Sequence, residues 1–248
     1  MIDLPLDCLE FSYLHIPPTL FLMDTNGHSS TSNRRRFLGV LASVAASLGF
    51  STVSSHVVAK EGGVIQDPSN LDAWFNTLTG KHKMVFDAVS TNDGLPIVYA
   101  FNFMSTNNQT GTPDDQLSAL MVFRSKAILA ALNDNAWSKF KLGKMFKVID
   151  YSSNAPSERN LYWEPREGEM PHPGISMKAL KERGVKFCVC ETAITLTSRQ
   201  YALSKSLDPV QVKNEWIASL LPGVQLVPSG VWALGRAQEQ GCGYCYAG

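Results

Sequence analysis

The chain predicts one α/β domain, doubly wound, with a mostly parallel sheet and helices on both faces. Three observations carry this expectation. Leu117 to Phe123 is a near-continuous apolar run, the pattern of a strand covered on both sides in a parallel sheet. Gly184-Val185-Lys186-Phe187-Cys188-Val189-Cys190 sets strand-suited residues between a helix-ending glycine and a helix start at Glu191-Thr192. Around these two segments, strand-length and helix-length stretches alternate along the chain.

The first 59 residues read as an address. Asn33-Arg34-Arg35-Arg36-Phe37-Leu38 precedes a mild apolar run from Gly39 to Phe50. This resembles a twin-arginine (Tat) signal, with Arg34 and Arg35 as the pair and Phe37 and Leu38 as the apolar positions after it. The run is shorter than the ~20 residues a spanning helix needs, so no stable membrane span is expected after processing. Met23 is the expected translation start, because Met1 to Leu22 contains three prolines and no lysine or arginine. Cleavage is expected after Ala59. The resemblance implies the Tat translocase as a partner, a periplasmic or otherwise exported location, and export of an already folded cargo.

Residues 60–80 form an approach segment in which Leu71, Trp74, Phe75 and Leu78 share one face of a short helix from Pro68 to Leu78. The domain proper is expected over 81–248. His82 to Val89 is its first strand, Ser90 to Gly94 the turn, and Pro96 lies in the first turn of a helix reaching about Met104. After the polar loop Asn107 to Asp115 and the apolar strand, Lys126 to Phe140 reads as one helix with Ile128, Ala131, Leu132 and Trp137 inward. Lys141 to Pro173 mixes proline and glycine with charged and aromatic residues, a connection of the length often used as a lid or oligomer contact. Ile175 to Arg183 is a helix ended by Gly184, Val185 to Cys190 the central strand, and Thr192 to Ser204 the next helix. Asp208-Pro209 begins another, with Val212, Trp216 and Leu220 inward. Val224 to Val227 is a strand, Val231 to Gln240 a helix, and Cys242 to Tyr246 a short edge strand.

Composition narrows the classes. With 44% hydrophobic and 18% charged residues and formal net charge zero, the chain is neither disordered nor basic enough to imply nucleic-acid binding. No period of 20 to 50 residues suggests a repeat fold. Five cysteines in 248 residues do not make a disulfide scaffold.

The run from Gly184 to Cys190, the stretch Leu221-Pro222-Gly223-Val224-Gln225-Leu226-Val227-Pro228-Ser229-Gly230-Val231 and the closing Gln240-Gly241-Cys242-Gly243-Tyr244 resemble the DsrE/DsrF-like family. The resemblance is concentrated from Leu180 to the C-terminus and covers His82 to Phe140 mainly by element order. It implies a flavodoxin-like layered sheet, a homo-oligomer, and a sulfur-relay role in which Cys190, at the matching position, carries sulfur as a persulfide. Cys188 and the terminal Cys242-Gly243-Tyr244-Cys245 depart from the plain family pattern.

Read from the residues themselves, Cys190 ends a strand where ligands of open α/β sheets bind, and amide dipoles of the following helix favour a thiolate there. The alternative is an inert buried cysteine. Cys188 and Cys190, two apart, share a strand face and do not bond each other without strain. If Cys242 and Cys245 occupy the neighbouring edge, the four thiols meet as a metal or iron–sulfur site, or pair as disulfides. That is the basis of a second reading, a non-catalytic oligomeric binding module. Tyr246 after Cys245 speaks against covalent haem attachment. Arg124 and the Ser229-Gly230 amides are candidates for a sulfur oxyanion such as thiosulfate or sulfite, with a surface ion pair as the alternative for Arg124. Asn92 stands at the equivalent place after the first strand, where turn formation competes.

Overall fold

The computed structural model describes residues 68–172 and 174–248. The signal readings at Met23, Arg34, Arg35, Phe37, Leu38 and Ala59 lie outside the described residues.

In chain order, α1 (Pro68–Phe75) leads to β1 (His82–Ala88), a 3₁₀ turn at Asn92–Gly94, and α2 (Leu95–Gln109). Gly94 takes φ 85° before α2, a left-handed value glycine adopts without steric cost. β2 (Leu117–Phe123) is buried at every residue, which is why its sequence does not alternate. A 3₁₀ segment (Ser125–Ala131), α3 (Asp134–Phe140), α4 (Leu142–Phe146), a small hairpin of β3 (Ile149–Asp150) and β4 (Ala155–Pro156), and α5 (Met177–Glu182) follow. The chain then runs through β5 (Lys186–Cys190), α6 (Glu191–Ser204), α7 (Pro209–Ala218), β6 (Val224–Val227), α8 (Gly230–Glu239) and β7 (Gly243–Tyr246).

The main sheet has the order β6-β5-β2-β1-β7, with every pair parallel. Successive side chains alternate between its faces. Phe86, Ala88, Met121, Phe123, Phe187 and Val189 join the larger core with residues of α2, α3, α5, α6 and α7. Val85, Leu120, Val122, Cys188 and Val227 join a smaller core with Leu71 and Phe75 of α1 and Ala233, Leu234 and Ala237 of α8. The fold is therefore doubly wound α/β.

Two expectations are corrected. Lys126 to Phe140 is not one helix: Leu132 and Asn133 are extended. The Asn133 side chain accepts the Ala136 N–H at 3.1 Å and starts α3, while its own N–H donates to Ser219 O at 2.9 Å. An asparagine N-cap competes effectively with continued helix. The helix after β1 also continues to Gln109, past its expected end at about Met104.

The long connection is packed onto the domain. Asn160, buried, donates from Nδ2 to Ala130 O and Leu132 O at 2.8 and 2.7 Å and accepts the N–H groups of Tyr162 and Trp163 at 2.8 and 3.1 Å. Leu161 and Tyr162 then enter the larger core, and burial pushes the Tyr162 phenol up to about 12. Gly143 of α4 lies against the Ser157 backbone with no room for a Cβ.

Candidate functional site

On the α8 face of the sheet, the inward residues Val85 of β1, Val122 of β2 and Cys188 of β5 are apolar core. Two residues further along each chain segment, hence on the same side by the pleat, stand Asp87, Arg124 and Cys190. The lining thus changes from apolar to polar at the carboxyl ends of three adjacent strands.

Cys190 ends β5 and is the N-cap of α6; its Sγ accepts the Ala193 N–H at 3.3 Å. It is 6% exposed. Its register partner on β6 is Val227. β5 leads into α6, packed on the larger core, whereas β6 leads into α8 on the other face. Adjacent strands with exits to opposite faces open the crevice in which α/β sheets bind ligands. Across it, the Thr192 hydroxyl donates to Pro228 O at 2.8 Å.

α8 begins beside this thiol. Ser229, its N-cap, makes no side-chain capping bond, so the first-turn N–H groups keep their capacity for an acceptor. Gly230 approaches closely: a Cβ placed there would lie 2.8 Å from Arg124 Cβ and 3.4 Å from Cys190 Cβ. The structure thus brings together Cys190, Arg124 and Gly230, with Ser229 adjoining.

The Arg124 stem lines this space while its head turns toward β1. Nε and Nη2 donate to the two carboxylate oxygens of Asp87 at 2.6 and 2.8 Å, and the Tyr244 hydroxyl donates to Asp87 Oδ2 at 2.7 Å. Asp87 is 1% exposed and the Arg124 side chain 28%. The ion pair anticipated as the alternative for Arg124 is present, as a partly buried fork around a buried carboxylate and not an open surface contact, and among the described residues no hydrogen bond engages Nη1. The hydrogen bond to Asp87 raises the guanidinium above its ordinary value. The Tyr244 phenol is raised for the same first reason, because ionising it would set two negative charges together.

Asn92 lies apart from this group. It sits in the turn after β1, with φ 39°, against the C-terminal Gly248, and no hydrogen bond among the described residues joins it to Cys190 or Arg124.

The four thiols do not converge. β5 and β7 are separated by β2 and β1, three strand spacings, on the order of 14 Å. Cys245 also faces the larger core, opposite in register to Phe86. Disulfides from Cys188 or Cys190 to Cys245 are out of reach, and the four cysteines among the described residues are free. The joint metal, iron–sulfur or disulfide site expected from the spacing of Cys188, Cys190, Cys242 and Cys245 is not assembled, because strand order places the two pairs apart. Burial pushes the thiols of Cys188, Cys242 and Cys245 up.

No family model matches the chain, and no curated protein matches it. Among solved structures, it is similar to a protein of unknown function, MTH1491, from Methanobacterium thermoautotrophicum. Identity is 16%, over 67% of this chain and 99% of that one, with a TM-score of 0.37.

Sequence reading passed over Asp87 and Tyr244. Asp87 did carry a signal: an acid inside the apolar strand Met84-Val85-Phe86-Asp87-Ala88 is rarely buried without a partner. Tyr244 carried none, since its role depends on β7 lying next to β1.

Proposed function

We propose that this protein is an exported, DsrE/DsrF-like thiol carrier that takes up sulfane sulfur on Cys190. The observation that carries this reading is the placement of one thiol. Cys190 Sγ accepts an N–H from the first turn of α6 at the crevice between β5 and β6, beside the uncapped start of α8. Two helix N-termini offer amides on which a persulfide anion can rest. The other three thiols, pushed up by burial, favour the inert protonated form.

With thiosulfate as donor, the Cys190 thiolate attacks the sulfane sulfur. A new Sγ–S bond forms as the S–S bond of the donor breaks, and its electron pair leaves with sulfite. An acceptor thiolate then attacks the outer sulfur and frees the Cys190 thiolate. Each exchange conserves charge and needs no external oxidant or reductant.

The test is intact mass after incubation of the reduced protein with thiosulfate. Wild type gains one sulfur atom, and so does the protein in which Cys188, Cys242 and Cys245 are replaced by serine; Cys190→Ser gains none. An unmodified wild type, or equal gain by Cys190→Ser, refutes the carrier role.

A further inference from the structure

Among the described residues no hydrogen bond joins the Asp87 side chain to Cys190 or to the open start of α8, yet it holds the Arg124 head. Both of its oxygens are bound by the guanidinium fork, at 2.6 and 2.8 Å, and Tyr244 braces the carboxylate from β7 at 2.7 Å. A bidentate pair fixes the guanidinium plane as well as its position. Asp87 is on β1 and Cys190 on β5, with β2 between them, a lateral separation of about 10 Å. Arg124 bridges that interval: its stem meets Gly230, next to Cys190, and its head is over Asp87.

We propose that Asp87 is the positioning residue of this site, holding the Arg124 guanidinium where it meets the leaving oxyanion of a sulfur donor instead of the thiol. Its substrate class rests on the carrier reading: donors whose sulfane sulfur is bonded to a sulfonate-type oxyanion. When the Cys190 thiolate attacks, the donor S–S bond breaks and its electron pair moves onto that oxyanion, further from Cys190 than the sulfur being transferred. Nη1, left free by the fork, is the donor available to it. Because Asp87 balances the charge of Arg124, the site directs an anion by donor geometry more than by net field.

The experiment compares alkylation rates of Cys190 by iodoacetate and by iodoacetamide, which differ in carrying an anionic or a neutral tail. Arg124→Lys is made in the wild-type protein and in the Asp87→Asn protein, so that net charge is unchanged within each comparison. With Asp87 present, the substitution lowers the iodoacetate-to-iodoacetamide ratio about fivefold; in the Asp87→Asn background it lowers it less than about twofold. Equal effects in both backgrounds, or none with Asp87 present, overturn the proposal. Tyr244→Phe, at a position 48% exposed, is a second variant that does not threaten folding. It lowers the ratio about twofold by loosening the carboxylate, and an unchanged ratio counts against Asp87. Alkylation does not require sulfur uptake, so the two ideas separate. A protein that shows the coupling but gains no sulfur from thiosulfate loses the carrier role and, with it, the sulfur-donor class, while Asp87 keeps its role in holding Arg124 toward an anion; one that gains sulfur without the coupling loses the role of Asp87 alone.

Discussion

Gly230 has no positive φ, so its backbone does not require glycine, and by helix propensity alanine would serve better. What excludes a side chain is space. A Cβ at 2.8 Å from Arg124 Cβ has no flexible side-chain end to displace, so either α8 or the end of β2 must shift. Gly230→Ala is therefore expected to destabilise the fold by about 1–3 kcal/mol, read as a lower urea midpoint. A midpoint equal to or above wild type would mean that the helix start has slack and that its approach to Cys190 is incidental. The glycine and the serine before it were legible as a turn between strand and helix. The crowding that gives the glycine its importance was not, because Arg124 is more than a hundred residues away in sequence. Asp87 repeats the lesson: its oddity inside an apolar strand was visible, but its partner was not.

Among the elements, the 141–172 connection departs most from its sequence pattern. Proline and glycine among charged residues look like an open loop, and some of its ion pairs do lie in solvent, such as Lys141 with Glu158 at 2.6 Å. Its attachment comes instead from Asn160, whose side chain makes four hydrogen bonds, two to backbone carbonyls at the end of the 3₁₀ segment and two to backbone N–H groups of the connection itself. Replacing Asn160 by alanine leaves the Ala130 and Leu132 carbonyls without that donor in a buried place. The expected loss is about 2–4 kcal/mol, whereas Glu158→Ala in the exposed pair should cost under about 1 kcal/mol. Thermal or urea unfolding of the two variants checks this, and comparable small losses would mean that water replaces the asparagine. Helix breaks obey the same logic. Asn133 is a recognisable N-cap, but the apolar spacing of Ile128, Ala131, Leu132 and Trp137 outweighed it, since a 3₁₀ segment and an α-helix bury similar residues over so short a distance. β2, β5 and β6, by contrast, were placed to within a residue, because runs of apolar and β-branched side chains bounded by glycine, proline or a cap leave few alternatives.

For the whole molecule, the proposed route of export makes its own prediction. Replacing both Arg34 and Arg35 with lysine should leave the protein in the cytoplasmic fraction with its signal uncleaved, while wild type is recovered outside that fraction with an N-terminus at Lys60. Fractionation and N-terminal sequencing decide it, and undiminished export of the twin-lysine protein would refute a twin-arginine address. By itself the sequence determined the doubly wound α/β class and the position of Cys190 at a strand end, because both are written in local periodicity and in the helix-ending and helix-starting residues on either side. Only the tertiary structure decided which strands are neighbours. That order, β6-β5-β2-β1-β7, sets Arg124 between Cys190 and Asp87, brings Tyr244 to Asp87, and keeps Cys245 about three strand spacings from Cys188 and Cys190. The pleat tells which face a residue takes, but which strand pairs with which depends on how two cores are filled from opposite sides of the sheet, a property of the folded chain as a whole.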